Sequence, residues 1–327
     1  PLAGRGAARR SGGRRGLILM FHYVGAAILP GAHDFLFLSP PAYESILDFV
    51  VAHLHPLPPA EFFQRMQAGD LPPRATLLTF DDGTLDNVTA ALPPLAARGL
   101  SACFFVSPGL IAAGRSVPSL DLADQVQRAA AGDYTFDPAA FLGRPASPLR
   151  LHLGDAASRA AAFRGQLLPL LLAAPSWQHP AFLAALAELL HAPAGLHPSY
   201  PLADWTQLAA LIEAGNLVGS HTLWHSTLAA DGPDRFAADL AASLAEIAAR
   251  FPAQPRIFCF PYGRPQDAPP AVAPLLAAAG VDFALVVQGG MADLAAQGPY
   301  FLRREAVNYS AAALKLSALR AWLAAPP

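Results

Sequence analysis

The feature that most constrains this chain is an alternation of short apolar runs with stretches of helical spacing. The runs fall at 17–23, 76–80, 102–106, 217–220, 256–260 and 283–287, and between them lie amphipathic segments at 40–53, 86–98, 202–214, 234–250 and 270–279. Gly99, Gly215 and Gly280 each stand just past such a segment, where a left-handed helix cap is favoured, and a run follows within a few residues. Strand alternating with helix predicts parallel strands joined by helical crossovers, hence an α/β fold with helices outside the sheet. The region of about 115–200 breaks the rhythm. It is rich in Ala, Leu and Pro, offers no strand candidate, and carries helical patterns at 121–131 and 180–191, so it reads as a helical insertion. Residues 1–16 are rich in Arg and Gly without apolar period and are expected to form a disordered tail, leaving 17–327 as the folded part.

Composition narrows the class. With 54% hydrophobic and 14% charged residues among 327, disorder is excluded as the main state. Twenty-two basic against 24 acidic residues leave no positive surplus for binding phosphates, so no nucleic-acid partner is expected. The greasiest stretch, 167–174, contains Pro169, and later candidates are broken by Glu188 or by Glu213 and Asn216. No transmembrane segment of about 20 apolar residues is therefore expected. Two cysteines, Cys103 and Cys259, exclude a disulfide scaffold by count, and each sits in an apolar run as a small buried hydrophobe would. Free cysteines and the lack of a visible leader lean cytoplasmic; a secreted or periplasmic protein remains the alternative if an upstream signal has been removed.

In so apolar a chain the informative residues are the polar ones that end the runs. The run 76–80 ends in Asp81-Asp82-Gly83: ordinary turn chemistry, or two carboxylates that need a cation beside them. The run 217–220 ends in His221-Thr222-Leu223-Trp224-His225, whose i, i+4 histidines would share one face of a helical turn. Alone that pair is weak; with Asp82 it gives two nitrogens and one oxygen, the composition of a catalytic zinc site with open positions. Pro261-Tyr262-Gly263 ends a third run, either as a plain turn or as a loop presenting backbone N–H groups and a ring to substrate. His22-Tyr23 ends the first. All four clusters fall at the C-terminal ends of predicted parallel strands, where α/β enzymes assemble their sites.

These motifs resemble those of the polysaccharide deacetylases, the NodB-homology group or carbohydrate esterase family 4. The matching segments are Thr79-Phe80-Asp81-Asp82-Gly83, Cys103-Phe104-Phe105-Val106, His221-Thr222-Leu223-Trp224-His225 and Phe260-Pro261-Tyr262-Gly263, in the family's order. The resemblance implies an irregular (β/α) barrel, Asp81 as catalytic base, and Asp82, His221 and His225 as ligands of one divalent metal, zinc first and cobalt, nickel or manganese as alternatives. Leu19-Met20-Phe21-His22-Tyr23-Val24 is similar to the N-terminal segment of the exopolysaccharide (poly-N-acetylglucosamine type) deacetylases, and implies His22 as general acid; His152, His179 or His197 from the insertion are the alternatives. The family often has an Arg where this chain has Cys259, and Arg304 is the substitute partner for Asp81, an ordinary surface arginine being the other reading.

The implied reaction is metal-dependent hydrolysis of N-acetyl groups on an amino-sugar polymer or oligomer, releasing acetate. The Tyr262 N–H in the loop begun by Pro261 would serve the oxyanion, Thr222 would fix the histidine turn, and Trp224 would stack on a sugar or fill the rim, with Asp86 a further neighbour. Two alternatives stand beside it: a hydrolase of a cyclic imide or ureide, and a non-catalytic carbohydrate-binding relative.

Overall fold

A strand apolar at every position needs cover on both faces. In the computed structural model, which describes residues 13–192 and 200–307, β1 (Arg15–Phe21) has that place, with residues 17–21 all buried. It pairs in parallel with β2 (Ala75–Phe80), Leu19 opposite Leu78. Then follow β3 (Ala102–Val106), β4 (Leu217–Ser220), β5 (Ile257–Cys259) and β6 (Phe283–Val286), each parallel to the one before. Closure comes from one short segment. β7 (Leu302–Arg303) pairs with β6, and two residues on β8 (Glu305–Ala306) pairs with β1, so the chain steps across the last gap at Arg304.

The period of two along the strands sorts side chains into an inside and an outside. Ile18, Leu77, Cys103, Phe105, Ile257, Cys259 and Leu285 form the barrel interior. Their neighbours Leu17, Leu19, Phe21, Leu78, Phe80 and Phe104 point outward under helices. Helix Pro40–His53 shows how that cover is made. Ser39 caps it by accepting from Ala42 N, Pro40 starts it, and Tyr43, Ile46, Leu47 and Val50 form a single buried stripe. No helix among the described residues is long and apolar enough to cross a membrane.

Three sequence expectations are corrected here. The tail does not reach residue 16, because Arg15 and Gly16 pair with Asp293 and Ala292 in β1, Arg15 Nε lying 3.2 Å from the Asp293 carboxylate; residues 1–12 lie outside the described residues. The strands do not end at 287, since β7 and β8 are each too short to leave a periodic signal. The insertion is not wholly helical, since Gly132–Phe136 and Leu149–Leu153 form an antiparallel hairpin with Tyr134 opposite Leu151. Leu120, Val126, Phe163, Phe182 and Leu186 build the insertion's own core, and Tyr23, Leu29 and Phe37 from the loop after β1 belong to the same cluster. The insertion is therefore anchored over the C-terminal ends of the strands.

Phe80 is fully buried between Phe21 and Phe104, with ring centroids 5.0 and 4.9 Å away. Phe80→Ala leaves a cavity between β1, β3 and the Pro40–His53 helix, and is expected to cost about 3–5 kcal/mol in urea unfolding monitored by circular dichroism.

Candidate active site

The same alternation that fills the barrel carries polar side chains into its mouth. Counting in twos from the interior residue Leu77 passes Thr79 and reaches Asp81; the same count from Ile18 gives His22, from Leu217 gives His221, and from Leu302 gives Arg304. Arg304 is fully buried at the closing seam and holds Asp81 by two parallel bonds, Nη1 to Oδ1 and Nη2 to Oδ2, both 2.7 Å. Nη1 also donates to Thr79 Oγ1 at 3.1 Å, and Nη2 lies 2.8 Å from Cys259 Sγ. The small thiol at 259 leaves room on the barrel axis for a guanidinium arriving from another strand. Burial pushes the Asp81 carboxyl up, yet the charge and hydrogen bonds of Arg304 outweigh it and hold the group below the usual carboxylate range. His22 Nε2 lies 3.8 Å from Asp81 Oδ2, and burial lowers the His22 pKa despite that carboxylate.

Asp82 faces the two histidines. Its Oδ1 is 3.1 Å from His225 Nε2 and 3.6 Å from His221 Nε2, and the three ligand atoms lie within 4.8 Å of one another. Two of the three are oriented by hydrogen bonds with groups outside the set. His221 Nδ1 donates to the Cys259 carbonyl at 2.8 Å, which leaves Nε2 as the lone-pair nitrogen, and burial lowers the imidazole to about 4, keeping it neutral. Tyr23 Oη donates to Asp82 Oδ2. Two imidazole nitrogens and one carboxylate oxygen converge there, a donor set that fits a divalent cation.

The histidine motif is not a helical turn. Thr222 and His225 both have positive φ (63° and 56°), so the imidazoles converge through a left-handed loop, with ring centroids 4.9 Å apart. Thr222 Oγ1 closes that loop by accepting from Ser226 N at 2.8 Å, and Asp239 accepts from Leu223 N at 2.6 Å. The Pro261-Tyr262-Gly263 loop follows β5. Tyr262, at φ 58°, packs its ring edge-on against His225 at 4.9 Å, and Gly263 is required because a Cβ there would lie 2.6 Å from Val287 N.

One cavity of about 380 Å³ gathers His22, Asp81, Asp82, His221, His225 and Tyr262. Its roof was not legible in the sequence: Phe163, Arg164 and Leu168 come from the insertion, as does Ser119 at the start of its first long helix. His33, another lining residue, also escaped the motif reading. The insertion histidines lie elsewhere. His152 is on the exposed hairpin, 2.8 Å from Asp133, and His179 Nε2 bonds the Ala174 carbonyl beside a different cavity; His197 lies outside the described residues. Trp224, expected at the site, turns away into the adjoining cavities.

Residues 178–284, which span β4 to β6 with both the histidine and the Pro-Tyr-Gly loops, match the family model for polysaccharide deacetylase. The likeness of this chain to the polysaccharide deacetylases, read first from its motifs, thus holds in sequence. In fold, the chain is similar to Streptococcus pyogenes deacetylase PplD, solved in complex with acetate (16% identity, TM-score 0.61, covering 93% of this chain and 97% of that one). It is also similar to IcaB from Ammonifex degensii (17%, 0.57, 93% and 97%) and to the BpsB deacetylase domain from Bordetella bronchiseptica (18%, 0.52, 91% and 97%). The irregular (β/α) barrel expected from the resemblance is the fold observed. Among curated proteins none matches the chain.

Asp86 supplies a pH-dependent property. Its Oδ2 accepts from Val24 N at 2.7 Å, but burial pushes its carboxyl from 3.8 up to about 6. Between those values the folded chain keeps a proton that the unfolded chain has lost, so stability falls as pH rises from about 4 to about 6. Asp86→Asn keeps the acceptor and removes the penalty. It is expected to raise stability at pH 7 by about 1–3 kcal/mol and to flatten the urea midpoint across that window.

Proposed function

We propose that this chain is a metal-dependent N-deacetylase that hydrolyses N-acetyl groups of an amino-sugar polymer or oligomer to acetate and a free amine. The observation that carries the reading is the presence, in one cavity, of an Arg-held carboxylate at Asp81 beside the convergent Asp82–His221–His225 set. Support comes from the family match and from the likeness to a deacetylase solved with acetate, the small product of such a reaction.

Asp82, His221 and His225 would hold the metal, zinc by ligand type; once bound it supplies Lewis acidity toward the acetyl carbonyl and acidifies water. Asp81 takes the proton of the attacking water. Arg304 fixes the direction of that carboxylate and keeps it ionised at neutral pH. His22, 3.8 Å from the same carboxylate, gives a proton to the departing nitrogen; burial lowers its pKa, which makes its charged form a stronger acid than free imidazolium. The Pro261-Tyr262-Gly263 loop offers the Tyr262 N–H to the developing oxyanion. Thr222 holds the histidine loop in place.

The insertion's cover over the cavity favours one second reading, hydrolysis of a small cyclic imide or ureide on the same residues. Acetate release from N-acetylglucosamine oligomers, run beside ring opening of hydantoin, separates the two: acetate release without ring opening is expected, and the reverse overturns the reading. Asp81→Asn is expected to lower turnover by roughly 10²–10⁴ while about one zinc per chain remains by elemental analysis; loss of the metal instead would exchange the roles of the two aspartates. His22→Ala is expected to lower kcat by about 10² or more, and wild-type turnover in that variant would remove it from the mechanism.

A further inference from the structure

Away from the barrel mouth, buried polar atoms without a partner gather around a second cavity. Asp121 Oδ1, Gln125 Oε1 and His179 Nδ1 each have no hydrogen-bond partner, and all three side chains line the same space of about 210 Å³. Gln125 and His179 are each only 6% exposed. Their other polar atoms are engaged: Gln125 Nε2 donates to the Leu183 carbonyl and His179 Nε2 to the Ala174 carbonyl, both at 3.1 Å. With its proton on Nε2, and burial lowering its pKa, His179 presents a bare lone pair at Nδ1. The cavity therefore shows three acceptors: a carboxylate oxygen, an amide oxygen and an imidazole nitrogen.

Pro118, Asp121 and Gln125 share one face of the helix Pro118–Arg128, while Ser119 faces the Asp81 cavity. Trp224 lines the second cavity one residue before the metal-site histidine His225. The two cavities are thus neighbours across the start of that helix and the histidine loop. A hydroxyl both donates and accepts, so several hydroxyls would leave lone pairs facing acceptors; an ammonium has three donors and no acceptor. Burial pushes the Asp121 carboxyl up to about 7, with the Ser116 hydroxyl and the charge of Arg115, which also lines the cavity, offsetting only part, so a further cation beside Asp121 would be favoured.

We propose that this cavity is a subsite for a sugar unit already bearing a free amine, its ammonium donating to Asp121, Gln125 and His179 and its ring lying against Trp224. The inference rests on the deacetylase reading and adds a preference to it: the chain binds its substrate beside a unit from which the acetyl group is already gone. The cavity's volume suits one sugar unit, and it continues past Trp224 into a groove of about 540 Å³ lined by Trp177, Arg235 and Asp239.

The test is calorimetric titration of the zinc-loaded full chain, at neutral pH, with the free-amine glucosamine disaccharide and with its di-N-acetyl counterpart. The free-amine sugar is expected to bind at least tenfold tighter, and Asp121→Asn to bring the two within about twofold. Equal affinities in the wild-type chain, or a preference unchanged in Asp121→Asn, would overturn the subsite. If that variant fails to fold, Gln125→Met must reduce the preference at least threefold. The two readings fail separately: acetate release without amine preference sinks the subsite alone, whereas amine preference without acetate release upholds the subsite and sinks the reaction.

Discussion

A guanidinium sealed from water inside a barrel is tolerable only with a carboxylate in matching geometry, and the pairing of Arg304 with Asp81 sets the terms for the rest of this structure. Arg304 stands between β7, which pairs with β6, and β8, which pairs with β1. Barrel closure and the placement of the candidate base are therefore one interaction. Removing either partner strands the other as an unpaired buried charge, a loss of about 3–5 kcal/mol in comparable buried pairs. The pair also has a chemical side: a carboxylate held at both oxygens cannot swing toward the neighbouring histidines, which keeps Asp81 distinct from Asp82 although the two are adjacent in sequence.

The second aspartate is separated by backbone rather than by partner. Asp82 has φ 76°, so successive side chains that would leave a strand on opposite faces instead lie in the same mouth, one toward Arg304 and one toward His221 and His225. The roof comes from a part of the chain with a core of its own. Because Tyr23 both belongs to that core and donates to Asp82, the insertion's packing reaches the candidate ligand set through a single side chain.

Much of this was legible in the sequence, for identifiable reasons. The runs that became β1 to β6 are mostly apolar because both faces are covered, and such runs stand out against amphipathic helices. Asp81, Asp82, His221 and His225 were readable because each ends such a run. The meeting of Arg304 with Asp81 was readable only as a substitution for the arginine missing at Cys259, and its parity with Leu302 was invisible while β7 was unrecognised. The true shape of the histidine loop was hidden for another reason. An i, i+4 pair reads as helix, and nothing in Thr222 or His225 announces a left-handed backbone, which β-branched Thr in particular adopts at a cost. The lining residues of the insertion left no signal, because Phe163 and Leu168 look in sequence like any other core positions of an apolar helix.

Among the described residues six that are not glycine have positive φ, and Asp82, Thr222, His225 and Tyr262 are four of them. Elsewhere such positions are where a glycine would relieve the backbone, each worth of the order of 1 kcal/mol or more. Here a glycine would delete two proposed ligands, the hydroxyl that closes their loop, or the ring packed on His225. A search for heat-tolerant descendants of this chain would thus find its local gains in stability forbidden at the very residues that define the mouth, and would have to look to the outer helices and the rim of the insertion instead.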